Sequence, residues 1–203
     1  MLIYNLFPLL AGPFGHWEPH FQRAADMGFD WIFINPVQKP GYSGSLYSIV
    51  DYFQLNPLLV DAQSELSPDQ QIKAALAAAE KLGLKVMVDL VINHCAFDSE
   101  LTRKHSEWFV QENGSAAHPF CMENGHKVVW GDLALFNHQH SSDKEGLYRY
   151  CYQIIEYLLG LGFKGFRCDA AYQIPGHIWG RLIREIRQKY PDTAFLAETL
   201  GCT

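Results

Sequence analysis

At 203 residues, with 48 % apolar and 19 % charged side chains, the chain has material for about one folded, soluble domain, and its composition excludes intrinsic disorder. A net charge of −6 without any basic run excludes an electrostatic footprint for nucleic acid. Residues 1–10 lack a basic flank and are too short an apolar run for a secretory leader or membrane span, and the five cysteines (Cys95, Cys121, Cys151, Cys168, Cys202) form no Cys-x-x-Cys pair. That odd count fits reduced thiols, so a cytoplasmic location is expected.

In chain order, residues 2–7 are apolar enough for a first strand, followed by a turn through Ala11-Gly12-Pro13. Trp17, Phe21, Ala24, Ala25 and Met27 recur at helical spacing, and Gly28 supplies a left-handed stop. Residues 31–35 read as a second strand, and 36–66 as a long connection rich in Gly, Tyr, Pro and Ser. Ser67-Pro68-Asp69-Gln70 starts a helix, with an N-cap serine, proline at the first helical position and glutamine closing a capping box. Ile72, Ala75, Leu76, Ala79 and Leu82 form its buried stripe, and Gly83 ends it. Residues 85–92 are a third strand, apolar apart from Asp89, and a second long connection runs over 93–143. Leu147, Cys151, Ile154, Ile155, Leu158 and Leu161 mark the next helix, which stops at Gly162. Strand four carries Gly165-Phe166-Arg167-Cys168-Asp169; a helix around Ile178, Trp179, Leu182, Ile183 and Ile186 leads to strand five, residues 194–198.

Three helices end alike, at Met27-Gly28-Phe29, Leu82-Gly83-Leu84 and Leu161-Gly162-Phe163, each just before an apolar strand. Wholly apolar strands alternating with helices predict a parallel sheet covered by helices. Both long connections follow strands, so a site is expected at the carboxyl ends, where Asp89, Asp169 and Glu198 fall. Either Asp169 or Glu198 alone would read as a strand-end acid paired with a surface cation, and His94 alone as a hydrogen-bonded loop histidine. Period-two geometry, however, puts Arg167 on the face of Asp169, which favours the ionised carboxylate a nucleophile needs. Glu198 has no cation beside it in sequence and is expected to be the acid that stays protonated.

The blocks Asp89-Leu90-Val91-Ile92-Asn93-His94, Gly165-Phe166-Arg167-Cys168-Asp169 and Ala197-Glu198, in that order, resemble those of the α-amylase family, glycoside hydrolase family 13. Upstream, Tyr47-Ser48-Ile49-Val50-Asp51-Tyr52 with Asn56-Pro57 is similar to the family's segment after strand two. The resemblance covers essentially the whole chain. It implies an α/β fold of the (β/α)8 TIM-barrel type with only about the first five β/α units present. Residues 1–203 would be the amino-terminal part of a catalytic barrel, with a small insertion at about 93–143. The implied activity is that of a retaining α-glycosidase or transglycosidase on α-linked glucans or malto-oligosaccharides. Asp169 would be the nucleophile and Glu198 the acid and base. Arg167, His94 and Tyr47 would bind substrate, with Asp89 and Asn93 supporting the site. The family's third carboxylate, on a later strand, has no counterpart before Thr203. The 203-residue chain alone is therefore expected to be inactive, with its strand edges covered by the remainder of the barrel or by other chains. No cofactor is expected. Asn93 matches a calcium ligand in many relatives, yet Asp132, His138 and His140 suggest no partner cluster, so calcium is not favoured.

Residues 93–130 and Trp130-Gly131-Asp132-Leu133 faintly resemble maltosyl-transferring members, which makes a maltosyltransferase-like enzyme the alternative within the family. A non-catalytic carbohydrate-binding or scaffold relative is the alternative of another class; such proteins typically lose the nucleophile or the acid, and both stand here. A metal-dependent hydrolase would draw on Asp89, His94, His138, His140 and Asp169, but Arg167 is an awkward neighbour for a cation. The expected partner is an α-glucan or oligosaccharide, with neither nucleic acid nor membrane.

Overall fold

A computed structural model of the chain describes residues 1–199; Cys202 and Thr203 lie outside the described residues. Five strands, β1 (Ile3–Leu6), β2 (Trp31–Ile34), β3 (Lys85–Leu90), β4 (Gly165–Cys168) and β5 (Ala194–Ala197), form one parallel sheet in chain order. Parallel neighbours need a crossover, and helices supply it. These are α1 (Glu18–Asp26), α2 (Pro68–Lys81), α3 (Lys144–Leu161) and α4 (Gly176–Lys189), with α2 packed on α1, β3 and α3, and α3 on α4.

Local sequence explains where these helices begin and end. Ser67 Oγ accepts from the Gln70 amide at 3.3 Å while Gln70 Oε1 accepts from the Ser67 amide at 2.8 Å, the expected capping box. Ile72, Ala75, Leu76 and Ala79 are buried on one stripe of α2. The predicted inner face of α3 is buried throughout, and Gly162 ends it at φ 115°, a backbone angle that a side chain would strain. Met27 differs from expectation. It follows the last turn of α1 and is 57 % exposed, because the chain turns away before that position can face the core. In α4 only Leu182 and Ile186 of the expected stripe are fully buried.

The register decides which face carries chemistry. Arg167 pairs with Asp89 on β3 and with Leu196 on β5, and Phe33 of β2 pairs with Met87. Strand alternation then puts Asn35, Asp89, Arg167, Asp169 and Glu198 on one side of the sheet. Val86, Val88, Phe166 and Cys168 lie on the other, buried in the helix-facing core. Burial pushes the thiols of Cys151 and Cys168 up to about 12, and with Cys95 they are buried free thiols.

The two long connections are built of short antiparallel pieces. Gln38–Pro40 pairs with Ile49–Leu55, and His94–Ala96 with Leu133–Leu135. Two hairpins, Gln111–Glu112 with Ser115–Ala116 and Phe120–Glu123 with His126–Val129, turn at Asn113-Gly114 and Asn124-Gly125. All four turn residues have positive φ, the geometry that Asn-Gly pairs favour in tight hairpins. No helix among the described residues is long and apolar enough to cross a membrane.

A side chain at Gly165 would meet the Ala194 carbonyl oxygen at 2.8 Å and the Trp31 ring at 3.3 Å. Gly165→Ala is therefore expected to destabilise the fold by roughly 1–3 kcal/mol, the usual cost of overpacking. Ser67→Ala should cost about 1 kcal/mol through the lost cap. Urea unfolding midpoints of the two variants measure both effects.

Candidate active site

Beyond the carboxyl ends of β3, β4 and β5 lies a cavity of about 360 Å³, within the range of small-ligand sites. Its floor is an ion cluster around one guanidinium. Arg167 Nη1 donates to Asp89 Oδ1 at 2.7 Å and to Asp169 Oδ1 at 2.8 Å, and Nη2 lies 2.8 Å from Glu198 Oε1. The three acids and the arginine come from adjacent strands, brought together by the register of the sheet.

Each carboxylate has further partners. Tyr47 accepts a hydrogen bond from Asn35 Nδ2 at 2.8 Å and donates its hydroxyl to Asp89 Oδ2 at 2.9 Å. Burial, helped by the Asp89 charge, lifts the Tyr47 pKa far above the usual phenol value and keeps it a donor. Glu198 Oε2 accepts from the Ala170 amide at 2.8 Å. Ala170 itself has φ 44°, a left-handed conformation uncommon outside glycine that sits directly after Asp169. Asp169 Oδ2 faces His94, whose Nε2 is 3.9 Å away.

One cation among three acids leaves negative charge in excess, and burial decides how it is borne. Burial raises Asp89 to about 7, against the opposing pull of Arg167. It likewise raises Asp169 to about 6, with the Arg167 charge opposing and Glu198 adding to the rise. Burial also opposes the charge on Arg167, but the three carboxylates outweigh it and hold its pKa above the ordinary value. His94 is driven down to about 4 by burial, so its approach to Asp169 is that of a neutral imidazole rather than an ion pair. Its Nε2 is buried and has no hydrogen-bond partner among the described residues.

Two expectations need correction. Glu198 has no cation beside it in sequence, but in space Arg167 reaches it from the next strand. Arg167 does bind Asp169 and favours its ionised form as expected, yet burial, with the Glu198 charge adding to it, outweighs that pull and leaves the carboxyl above its ordinary range. The remaining expected residues meet here. His94, Tyr47 and Asn93 line the cavity, while Asp89 lies fully buried beneath Tyr47 and Arg167. Asn93 is buried and its Nδ2 donates to Gln173 Oε1 at 2.9 Å. The metal-hydrolase set does not assemble. His138 Nε2 lies 2.7 Å from the Ile92 carbonyl oxygen, His140 is exposed, and no cluster suited to a metal occurs among the described residues.

Sequence reasoning missed Gln173, Tyr172 and Trp130, all of which line the cavity. Gln173 and Tyr172 stand just past the strand-four block. Trp130 ends the hairpin marked by Asn124-Gly125, a signal that could have turned the 93–143 connection into located strands.

The family described as the glucanotransferase domain of glycogen debranching enzyme matches residues 2–115. The chain is 28 % identical over 225 residues to an α-1,4-glucan:maltose-1-phosphate maltosyltransferase of Arcanobacterium haemolyticum, covering 96 % of this chain and 31 % of that protein. It is 32 % identical over 208 residues to the protein of that name from Mycobacterium tuberculosis, covering 92 % and 28 %. The chain thus spans about a third of the length of the curated relatives it matches. Among solved structures, an α-amylase from Lactobacillus plantarum superposes with a TM-score of 0.80 at 28 % identity, over 98 % of this chain and 45 % of that one. The maltogenic α-amylase AmyB from Thermotoga neapolitana gives 0.81 at 25 %, over 98 % and 46 %.

Asp89 and Asp169 bind protons more tightly folded than unfolded, so the stability they contribute is full below about pH 4 and is lost as pH rises through 6 to 7. Relative to wild type, Asp89→Asn is accordingly expected to gain stability as pH rises from about 4 to 7. Arg167→Met should do the reverse, costing roughly 3–5 kcal/mol near pH 7 and much less near pH 4, where the acids can protonate. Urea unfolding of the three proteins across that pH range measures both trends.

Proposed function

This chain belongs to the family of the glycogen debranching enzyme glucanotransferase domain, in the amino-terminal portion of an α-amylase-type enzyme, and from that membership we propose that its site cleaves and transfers α-linked glucosyl units with retention of configuration. The observation that carries this reading is the sharing of one guanidinium. Asp169 and Glu198, on neighbouring parallel strands, bind Nη1 and Nη2 of Arg167 at 2.8 Å each. Carboxyls held at the two ends of one guanidinium are close, as the retaining route requires at about 5–5.5 Å, whereas inversion seats a water across about 6.5–9.5 Å.

In the proposed sequence, Asp169 Oδ2 attacks the anomeric carbon as the bond to the leaving glycosidic oxygen breaks and Glu198 gives that oxygen a proton. Asp169 Oδ1 stays on Arg167. The ester intermediate is then attacked by an acceptor hydroxyl, whose proton returns to Glu198 as the Asp169 carboxylate leaves. Both Glu198 oxygens are engaged, with Arg167 and the Ala170 amide, so delivering a proton requires one of these bonds to yield to substrate. His94 Nε2, buried and without a partner, suits a sugar hydroxyl, and contacts that tighten in the transition state lower the barrier. Tyr47 and Asp89 keep Arg167 in place from below, with Asn93 supporting the loop that carries His94.

Residues 1–199 fit the first five units of an eight-stranded barrel, with the 93–143 segment as an insertion over the cavity. On this reading, further strands or other chains cover the open edges at β1 and β5, where Leu196 is 43 % exposed. The buried free thiols Cys95, Cys151 and Cys168 favour a cytoplasmic enzyme. The relatives' name favours a glucan hydroxyl over water as acceptor, which product analysis with and without added malto-oligosaccharide distinguishes.

In the full-length protein, Asp169→Asn is expected to lower kcat by at least about 10⁴-fold without lowering the thermal midpoint near pH 7. Wild-type kcat/KM should fall with pH below about 6, as Asp169 gains its proton. Retained α configuration in the first-formed product, read by NMR, is the expected outcome; inverted product would refute Asp169 as nucleophile.

A further inference from the structure

Asp89 is the one acid of the cluster that does not line the cavity, and it ends a line of hydrogen bonds that crosses the sheet. Asn5, on β1, donates from Nδ2 to the Phe33 carbonyl at 3.0 Å and to Asn35 Oδ1 at 3.2 Å. Asn35, just past β2 and buried, donates from Nδ2 to the Tyr47 hydroxyl oxygen, and that hydroxyl donates to Asp89 Oδ2. Arg167 then joins Asp89 to Asp169 and Glu198. Only one direction is open to this line. A carbonyl oxygen can only accept, so Asn5 must present its amide nitrogen to Phe33. An amide nitrogen can only donate, so Asn35 must turn its oxygen to Asn5 and its nitrogen to Tyr47. The phenol oxygen is thereby an acceptor, and its hydrogen is left for Asp89.

We propose that Asn35 is a positioning residue of this site: by fixing Tyr47 as a donor to Asp89, it draws the cluster's proton away from Asp89 and towards the acids that line the cavity. The inference rests on the α-glucan reading above and adds to it a residue outside the cavity wall. Three carboxylates around one guanidinium favour keeping a proton among them, and it serves the reaction only where substrate can reach it. A bond donated to the charged form of a carboxyl favours that form. With Asn35 gone, the Tyr47 hydroxyl is free to turn and accept from a protonated Asp89, which favours the opposite state. Burial pushes the Tyr47 phenol up, and the bond from Asn35 works against that push, which makes the hydroxyl a better donor. The titratable and charged groups about Asp89 are Tyr47 from the connection after β2, Arg167 and the Cys168 thiol from β4, and Asp169 beyond it. Glu198, past β5, acts on it through Arg167.

The test is an infrared pH titration of the full-length protein, following the C=O stretch of protonated Asp89, identified by its loss in Asp89→Asn. Its midpoint lies near pH 7 in the wild type. Asn35→Leu keeps the size of the side chain without its donor and should move that midpoint up by roughly 0.5–1 pH unit. In a Tyr47→Phe background the same substitution should add nothing, because the group it acts through is gone. A proton kept on Asp89 eases the ionisation of Asp169, so kcat/KM of Asn35→Leu on maltoheptaose should hold to lower pH than in the wild type. Should Asn35→Leu not fold, Asn35→Ala removes the same donor and is read by the same outcomes. An unmoved Asp89 midpoint, or one that moves as far in the Tyr47→Phe background, would overturn the role of Asn35. A moved midpoint with an unmoved acid limb of kcat/KM would overturn its part in the reaction. A wild type that turns over no malto-oligosaccharide would instead overturn the α-glucan reading, and the infrared titration would still decide whether Asn35 governs Asp89.

Discussion

Everything at the carboxyl end of the sheet depends on one guanidinium answering three carboxylates. At an effective dielectric constant near 20, unit charges about 4 Å apart interact by about 4 kcal/mol, so the imbalance around Arg167 is large on the scale of protein stability. Arg167 can offset only part of it, and burial removes the water that would screen the rest. The result is a cluster that resists full ionisation, seen in the upward shifts of Asp89 and Asp169. Acetal cleavage needs a group that can carry a proton at neutral pH beside one that can lose it. In the proposed route Asp169 must lose its proton against this burial, and the pull of Arg167 on its carboxylate favours that loss.

The parallel sheet makes this cluster possible. Antiparallel hairpins would bring consecutive strand ends to opposite edges, whereas helical crossovers return every strand in the same direction. Asp89, Asp169 and Glu198 thereby reach one end, and the register of β3, β4 and β5 sets them side by side. Close packing at Gly165, where the Ala194 backbone leaves no room for a side chain, holds β4 against β5. The Ala170 turn then aims an amide back at Glu198. Backbone geometry and ion pairing thus act on the same carboxylate from two sides.

The long connections form the walls of the cavity. Tyr52 donates its hydroxyl to the His94 carbonyl at 2.7 Å, and Ser48 donates to the Asp132 carbonyl at 3.2 Å, so the segment after β2 braces the one after β3. Such cross-connections satisfy buried backbone groups that loops would otherwise leave without partners. They also explain how a segment without long strands can hold Trp130, Asp132 and Leu133 at fixed places beside the floor of the cavity.

Much of this was legible in the amino-acid sequence because it is governed by local rules. The Ser67 capping box, the Gly162 stop and the stripes of α2 and α3 follow from spacing and backbone preference within a few residues. The parallel sheet, and the gathering of Asp89, Asp169 and Glu198 at one end, followed from strands that are apolar throughout and loops that are long on one side only. Electrostatics were not legible, since they depend on distance in space. Glu198 lies 31 positions beyond Arg167 in the numbering and yet touches it. Burial, a property of the whole molecule, outweighs the expected pull of Arg167 on Asp169. Gln173, Tyr172 and Trp130 were not placed at the site for the same reason: their neighbours in sequence mark a turn and a hairpin, and only the folded chain brings them to the cavity.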